Sequence, residues 1–263
     1  MADNPSLRVM SYNLRFPSTS DGPNCWPERQ FAMSEFLISQ APDIIGVQEA
    51  MAEQLDFLVD ELGSYAYVGE GRKGGSADEH CAIFYDTDVW SAQEDGTFWL
   101  SDSPSQVGSN DWDTDHPRVV TWVRLHRESS AQEVVAINTH FSLRAEAREK
   151  SAIALSEFRH KYHSIPTVIT GDFNDRPQNS AYSILVDGTD WFDAWDSADK
   201  KFGPAVTFHG WIDWDADSER RIDWILCNKP WRVLSATTLV DETGGRLPSD
   251  HFPVLAELAA LDD

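Results

Sequence analysis

Thr167-Val168-Ile169-Thr170-Gly171-Asp172-Phe173-Asn174 is the stretch on which the reading of the fold turns. Its first four residues form a short apolar, β-branched run, the pattern of a buried strand. Gly171 is expected to keep the backbone open beyond that run, and Asp175 and Pro177 to end the strand. An Asp and an Asn two residues apart then project together from the strand's C-terminal end. A carboxylate beside a neutral amide suits metal-assisted cleavage of a phosphate ester. The carboxylate can activate a water, and the amide can donate to an oxygen gathering negative charge.

Outward from this stretch, strand-like runs recur at Arg8–Asn13, Asp43–Gln48, Cys81–Tyr85, Val119–Leu125, Val134–Thr139, Ile222–Cys227, Val233–Val240 and Phe252–Leu258. Val119–Leu125 alternates in part, as a strand with two unlike faces does. Helical patterns lie between some of these runs. Met51, Leu55, Leu58, Val59 and Leu62 share one face, with Gly63 as a C-cap. Leu143–Tyr162 is the longest helical candidate, with Glu146 and Lys150 one turn apart and Pro166 beyond its end. Asp102–Pro117 is polar and reads as a long loop, the kind that is often functional. No linker or repeat interrupts the pattern, so residues 1–263 read as one domain of two packed sheets with helices outside.

Composition narrows the class. A hydrophobic content of 41%, with 11 Trp and 13 Phe, supports a large core and excludes a disordered chain. No apolar run approaches the roughly 20 residues that span a bilayer. The opening Met1-Ala2-Asp3-Asn4-Pro5 is polar and acidic, unlike a secretory leader. Cys25, Cys81 and Cys227 are scattered and odd in number, as expected of reduced thiols in a cytoplasm. A cytoplasmic monomer without membrane partners is the expectation.

The net charge is -23, from 44 acidic against 21 basic residues. At low salt such a surface repels itself and nucleic acid. In molar salt the Debye length falls to about 3 Å and both penalties fade. The expectation is a halophilic, salt-adapted protein, with an ordinary acidic enzyme as the alternative. Charge therefore does not choose between nucleic acid and a small phosphoester.

Further polar signals sit at strand ends: Tyr12-Asn13, Gln48-Glu49, Asn138-Thr139-His140, Arg221-Ile222-Asp223 and Ser249-Asp250-His251. Singly each is weak, because strand-end Asn and Asp are usually turn formers. Asp111-Trp112-Asp113-Thr114-Asp115 and Asp213-Trp214-Asp215-Ala216-Asp217 alternate Asp but lack the Gly and closing Glu of a calcium loop, so they read as solvated loop charge.

Taken in order, with Gly171-Asp172-Phe173-Asn174 among them, these motifs resemble the endonuclease/exonuclease/phosphatase superfamily from about Arg8 to Leu258. Trp26-Pro27-Glu28-Arg29, Gly96–Ser101 and Thr207-Phe208-His209-Gly210 place the resemblance in a compact prokaryotic branch. It implies a deoxyribonuclease I-like α/β fold: a four-layer sandwich, two mixed β-sheets face to face with helices outside and the site at one edge. It also implies Mg²⁺ or Mn²⁺ at Asn13, Glu49 and Asp250, with hydrolysis of a P–O bond by an activated water. Asp172 would act on the water, Asn174 would hold a phosphate oxygen, and His140 would donate to one. Asp223 and His251 resemble the family's carboxylate–histidine pair, with His251 against the phosphate. Glu79 resembles the carboxylate that orients the histidine corresponding to His140, with a solvated loop charge as the alternative.

Substrate contacts are expected from Arg118, Arg72, His209 and Tyr85. Trp112 and Trp211 are expected to pack, with stacking on a ring as the alternative. A small phosphoester or short oligonucleotide is favoured, since no Lys/Arg-rich run marks a nucleic-acid groove. A nuclease acting on DNA or RNA is the alternative. An inactive binding protein on the same fold would have lost motif residues, and all are present.

Overall fold

In the computed structural model, which describes residues 6–212, 214–215, 220–240 and 246–260, the strand runs assemble into two mixed sheets. The first sheet runs, edge to edge, β10 (Lys200–Phe202), β12 (Trp231–Thr238), β13 (Val254–Ala260), β1 (Leu7–Asn13), β2 (Ile44–Gln48), β4 (Ile83–Asp86) and β3 (Tyr65–Val68). The second runs β5 (Ser91–Trp99), β6 (Val119–Arg127), β7 (Gln132–His140), β8 (Thr167–Asp172), β11 (Asp223–Asn228) and β9 (Trp191–Asp193). Within them β1 is parallel to β2 and β7 to β8, while β11 is antiparallel to β8.

Because strand side chains alternate between faces, the residues between the sheets can be read off each strand. At one end the inner layer is apolar, with Val9, Ile44, Ala136, Val168 and Ile225 in one buried cluster. Two residues further along it becomes polar, with Ser11, Gly46, Asn138 and Thr170. Two further still stand Asn13, Gln48, His140 and Asp172, with Asp223 entering from the antiparallel β11. The sandwich thus changes along its strands from an oily core to a polar rivet to a cluster of ionisable groups.

Asn138, at the centre of the rivet, uses all of its hydrogen-bonding capacity. Asn138 Nδ2 donates to Val47 O and Ala82 O at 2.8 and 2.9 Å. Its Oδ1 accepts from Gln48 Nε2 at 2.7 Å and Thr170 Oγ1 at 3.0 Å. Gly46 makes room, since a Cβ there would lie 1.9 Å from Thr170 Oγ1. Gly171 serves the same kind of purpose. A Cβ would meet Thr139 O at 2.8 Å and the Phe173 ring at 3.1 Å, so glycine admits close neighbours rather than holding the backbone open.

The outer faces carry the helices. Met10, Tyr12, Ile45, Val47 and Phe84 pack against α1 (Trp26–Gln40) and α2 (Ala52–Leu62). Val135, Ile137, Ile169 and Trp224 pack against α3 (Ala145–Arg159) and α4 (Ser180–Val186). A one-turn helix, α5 (Ala194–Ser197), follows β9. The four-layer sandwich expected from the motifs is therefore the observed architecture. Gly63 caps α2 at φ +65°, and residues 102–117 form no helix or strand.

Sequence reasoning missed α1, the short α4 and α5, and the strands β3, β5, β9 and β10. In α1, Phe31 and Ile38 are exposed, which blurs the apolar stripe. β5 is an edge strand whose Ala92–Asp95 segment is exposed, so it lacks alternation. Among the described residues no helix is long and apolar enough to cross a membrane. Met1–Pro5, and Asp213, Ala216 and Asp217 of the second alternating-Asp stretch, lie outside the described residues.

Candidate active site

The ionisable end of the inner layer opens into a cleft of about 610 Å³, lined among others by Glu49, Arg72, Arg118, His140, Asp172, Asn174, Asp250 and His251. Asp172 is its centre. Asn13 Nδ2 donates to Asp172 Oδ2 at 3.0 Å and to Glu49 Oε1 at 3.1 Å, spacing two carboxylates with one neutral amide. Phe16 N donates to Glu49 Oε2, and Asn174 N to Asp172 Oδ1. Glu49 and Asn174 both adopt left-handed backbone, at φ +59° and +49°, so each turns sharply off its strand end into the cleft.

Two imidazoles flank Asp172 in different protonation states. His251 Nδ1 lies 2.9 Å from Asp223 Oδ2, and its Nε2 lies 3.8 Å from Asp172 Oδ2. Burial opposes charge on His251, but Asp223, Asp172 and Asp250 outweigh it and raise the group to about 10. His140 is pushed well below its ordinary value by burial, with Arg118, His251 and Arg72 adding to the effect. Its Nε2 stands 2.9 Å from Asn174 Nδ2 and 3.5 Å from Asp172 Oδ2. A neutral His140 accepts the Asn174 amide at Nε2, so in this arrangement it orients Asn174. The expected donation from His140 to a phosphate oxygen does not come from that nitrogen.

Asp172 itself is raised to about 7, first by burial and then by Asp223, against the pull of His251, Asn174 N–H and Asn13. Asp250 is also raised by burial, with Glu49 adding and His251, Arg15 and Arg29 opposing. Asp250 Oδ1 is buried and has no hydrogen-bond partner among the described residues. Glu49, His140 and Asp172 place ligand atoms within 4.8 Å of one another, as do Asp172, Asp223 and His251. The second trio is bound up in a charge-assisted hydrogen bond. Its cationic imidazole makes it a poor metal site.

The remaining expected residues divide. Arg118 lines the wall. Arg72 does too, its Nε 2.8 Å from Asp78 Oδ1 and its Nη1 2.9 Å from Glu79 Oε2. Glu79 thus holds Arg72, in place of the expected His140. His209 is not a wall of the cleft. It is buried against Phe252, with Nε2 3.0 Å from Ser249 O and Nδ1 accepting from Trp211 N, and burial lowers it to about 4. Tyr85 is likewise away from the cleft, half-buried on β4 and packed against the core between the sheets. The causes differ: His209 finds its hydrogen-bond partners within its own surroundings, while Tyr85 is placed by apolar packing on β4.

Sequence reasoning passed over Arg15, Phe16, His116, Asp78 and Phe208, which also line the cleft. Arg15 stands two residues past Asn13, and that spacing was the available signal. Arg29, in the Trp26–Arg29 stretch, has a structural use. Its buried guanidinium donates to Leu14 O, Asn24 O and Pro248 O at 2.6, 3.0 and 2.8 Å, tying the loop after Asn13 to the loop before Asp250.

This fold and strand-end cluster define a class, and the comparisons agree. The model of the Endonuclease/Exonuclease/phosphatase family matches residues 10–251. The chain belongs to that family. It is similar in structure to a mannosyl-6-phosphatase from Bacteroides thetaiotaomicron VPI-5482, at 33% identity and TM-score 0.90 over 97% of this chain and 100% of that one. It is also similar to an endonuclease/exonuclease/phosphatase from Bacteroides vulgatus, at 30% identity and TM-score 0.93 over 98% and 100%. Protein angel of Drosophila melanogaster is 25% identical over 173 residues, 61% of this chain. The chain spans 47% of Protein angel, and less of the other curated relatives it matches.

Proposed function

We propose that the protein is a divalent-metal-dependent phosphoesterase acting on small phosphoesters, phosphorylated sugars first among them. The observation that carries this is Asp172, a buried carboxyl raised to about 7 and held between Asn13, His140 and His251 on the floor of a cleft.

The donor set fits a hard cation. Glu49 and Asp250 offer carboxylate oxygens, and the unpartnered Oδ1 of Asp250 is a buried acceptor in want of positive charge. Asn13 stands beside Glu49 and orients it. Oxygen donors of this kind suit Mg²⁺ or Mn²⁺. Such an ion, when bound, neutralises charge on a phosphoryl group.

The chain's own residues supply the rest. Asp172 takes the proton of the attacking water; a base poised near neutrality does this best. His251, kept cationic by Asp223, faces the same space and offsets negative charge developing on phosphoryl oxygens. Asn174, oriented by His140, holds a phosphate oxygen through its amide. Arg118 and Arg72 clamp the phosphate from the wall, Arg72 being held in place by Asp78 and Glu79.

A small substrate is favoured because Asp78, Glu79 and Asp250 stand among these arginines, where a nucleic-acid groove would be uniformly basic. The 33% identity to a mannosyl-6-phosphatase points the same way. The acidic surface is read as salt adaptation of a cytoplasmic, monomeric enzyme. The test is a panel of bis-p-nitrophenyl phosphate, mannose 6-phosphate, a nucleoside monophosphate, RNA, and single-stranded and duplex DNA, at low and high KCl. Hydrolysis of the sugar phosphate should require Mg²⁺ or Mn²⁺. Full activity in EDTA overturns the metal reading, and faster cleavage of DNA or RNA overturns the substrate reading.

A further inference from the structure

We propose that the phosphate cleaved in this site is carried by an oligosaccharide, whose further sugar units lie in a trough leading from the cleft to an aromatic groove beside α3. The proposal rests on the phosphoesterase reading and names its substrate class.

Three depressions succeed one another along this surface, each sharing a wall residue with the next. Leu143, 73% exposed, lines both the cleft and a neighbouring depression formed with Trp112, Asp113, Asp115, Arg144 and Glu146. Trp112 in turn lines a groove of about 790 Å³ whose floor includes Phe98, Trp122, Ile153 and Phe158. Phe98 and Trp122 stand 4.7 and 5.9 Å from Phe158, ring centre to ring centre, so the floor is a packed aromatic surface. Ile153, on α3, is 49% exposed. Exposed and half-buried apolar side chains gathered in one groove, and rimmed by charge, mark a binding surface.

The order of chemistries along the trough chooses the occupant. A sugar ring presents an apolar C–H face and an edge of hydroxyls. The aromatic floor suits the face. The carboxylates of Asp113, Asp115 and Glu146, with the Arg144 guanidinium, suit the hydroxyls. An alkyl chain leaving the cleft would have to cross this polar middle section. Lys150, Lys161 and Arg144 could meet some phosphates of a nucleic-acid strand, but Asp102, Asp113, Asp115, Glu146 and Glu157 outnumber them, so the net field opposes a polyanion. The trough is also preformed: Trp112 Nε1 donates to Asp102 Oδ1 at 2.8 Å, and Arg144 reaches Asp113 and Asp115 at 3.9 and 3.7 Å, drawing the 102–117 loop toward α3. A preformed surface spares the ordering cost of binding.

The experiment compares kcat/KM, with Mg²⁺ present, for a hexose 6-phosphate and for a trisaccharide of that hexose carrying the same terminal phosphate. The trisaccharide should be favoured by about tenfold or more, mainly through KM. Trp112→Ala and, separately, the exposed Ile153→Asp should bring the ratio of the two substrates close to one. Equal kcat/KM in the unaltered protein, or a ratio that neither variant moves, overturns the trough. So does a preference for a 5′-phosphorylated trinucleotide or an alkyl phosphate over the trisaccharide. Hydrolysis of none of these esters refutes the phosphoesterase reading instead. In that event calorimetry with the unphosphorylated trisaccharide decides the trough: binding lost in Trp112→Ala supports it, and absence of binding overturns it.

Discussion

Asn138→Ala removes the centre of the rivet that joins the two sheets directly beneath the ionisable cluster. The side chain makes four buried hydrogen bonds, to Val47 O, Ala82 O, Gln48 Nε2 and Thr170 Oγ1. At about 1 kcal/mol net for each, truncation costs about 4 kcal/mol as a ceiling. Three of the four partners keep another contact. Gln48 Nε2 retains Gly46 O, Thr170 Oγ1 retains Ile137 O, and Ala82 O retains Val47 N–H. The expected loss is therefore about 3 kcal/mol, the retained contacts lowering the sum and the vacated space adding to it. For a chain of this size that corresponds to a fall of about 6–12 °C in Tm. Thermal and urea unfolding followed by circular dichroism measure it, at fixed high KCl so that surface repulsion does not intrude. A loss below about 1 kcal/mol would show that the sheets are held by the apolar layer alone and that the polar layer is incidental.

Asp172→Asn should lower kcat by about 100-fold or more, as loss of a general base does, and near-normal turnover on bis-p-nitrophenyl phosphate would remove Asp172 from that role. His251, raised to about 10, should stay protonated through neutrality in ring NMR titrations of the metal-free protein. Asp223→Asn removes the strongest raising influence, so the titration should move down toward the ordinary imidazole range, and an unmoved titration would refute the pairing. By linkage, the stability this raised imidazole contributes is full below the unfolded value near 6.5 and is lost as pH rises through about 10. Tm should climb between low and multimolar KCl if the charge of -23 reflects salt adaptation, and a flat response would refute that reading.

Much of the fold was legible because the strands announce themselves by what they alternate. Val168 and Thr170 face inward beside Ile169, which faces out, and the same parity carries through to Asp172. Where parity was blurred the reading failed. Exposed Phe31 and Ile38 hid α1, and the exposed, polar Ala92–Asp95 segment hid β5. The strand-end motifs named residues that do share one cleft, among them Glu49, His140, Asp172, Asn174, Asp250 and His251. Their neighbours were less legible. His209 and Tyr85 were expected at the substrate but pack away from the cleft, while Arg15 and Phe208, each beside a motif residue, line its wall.

The sequence by itself determined which residues could serve: strand-end carboxylates, amides and imidazoles, whose direction follows from a two-residue period that is local. It could not determine which strand ends meet. Asn13 and Asp172 are 159 residues apart, and Asp223 opens β11 of one sheet while His251 lies just before β13 of the other, yet each pair is in hydrogen-bond contact. Nor could it set charge. Two histidines of equal ordinary basicity end up neutral and cationic, because packing buries His140 among cations and His251 against Asp223. Those differences arise from distance and dielectric, and both exist only once the two sheets have closed on one another.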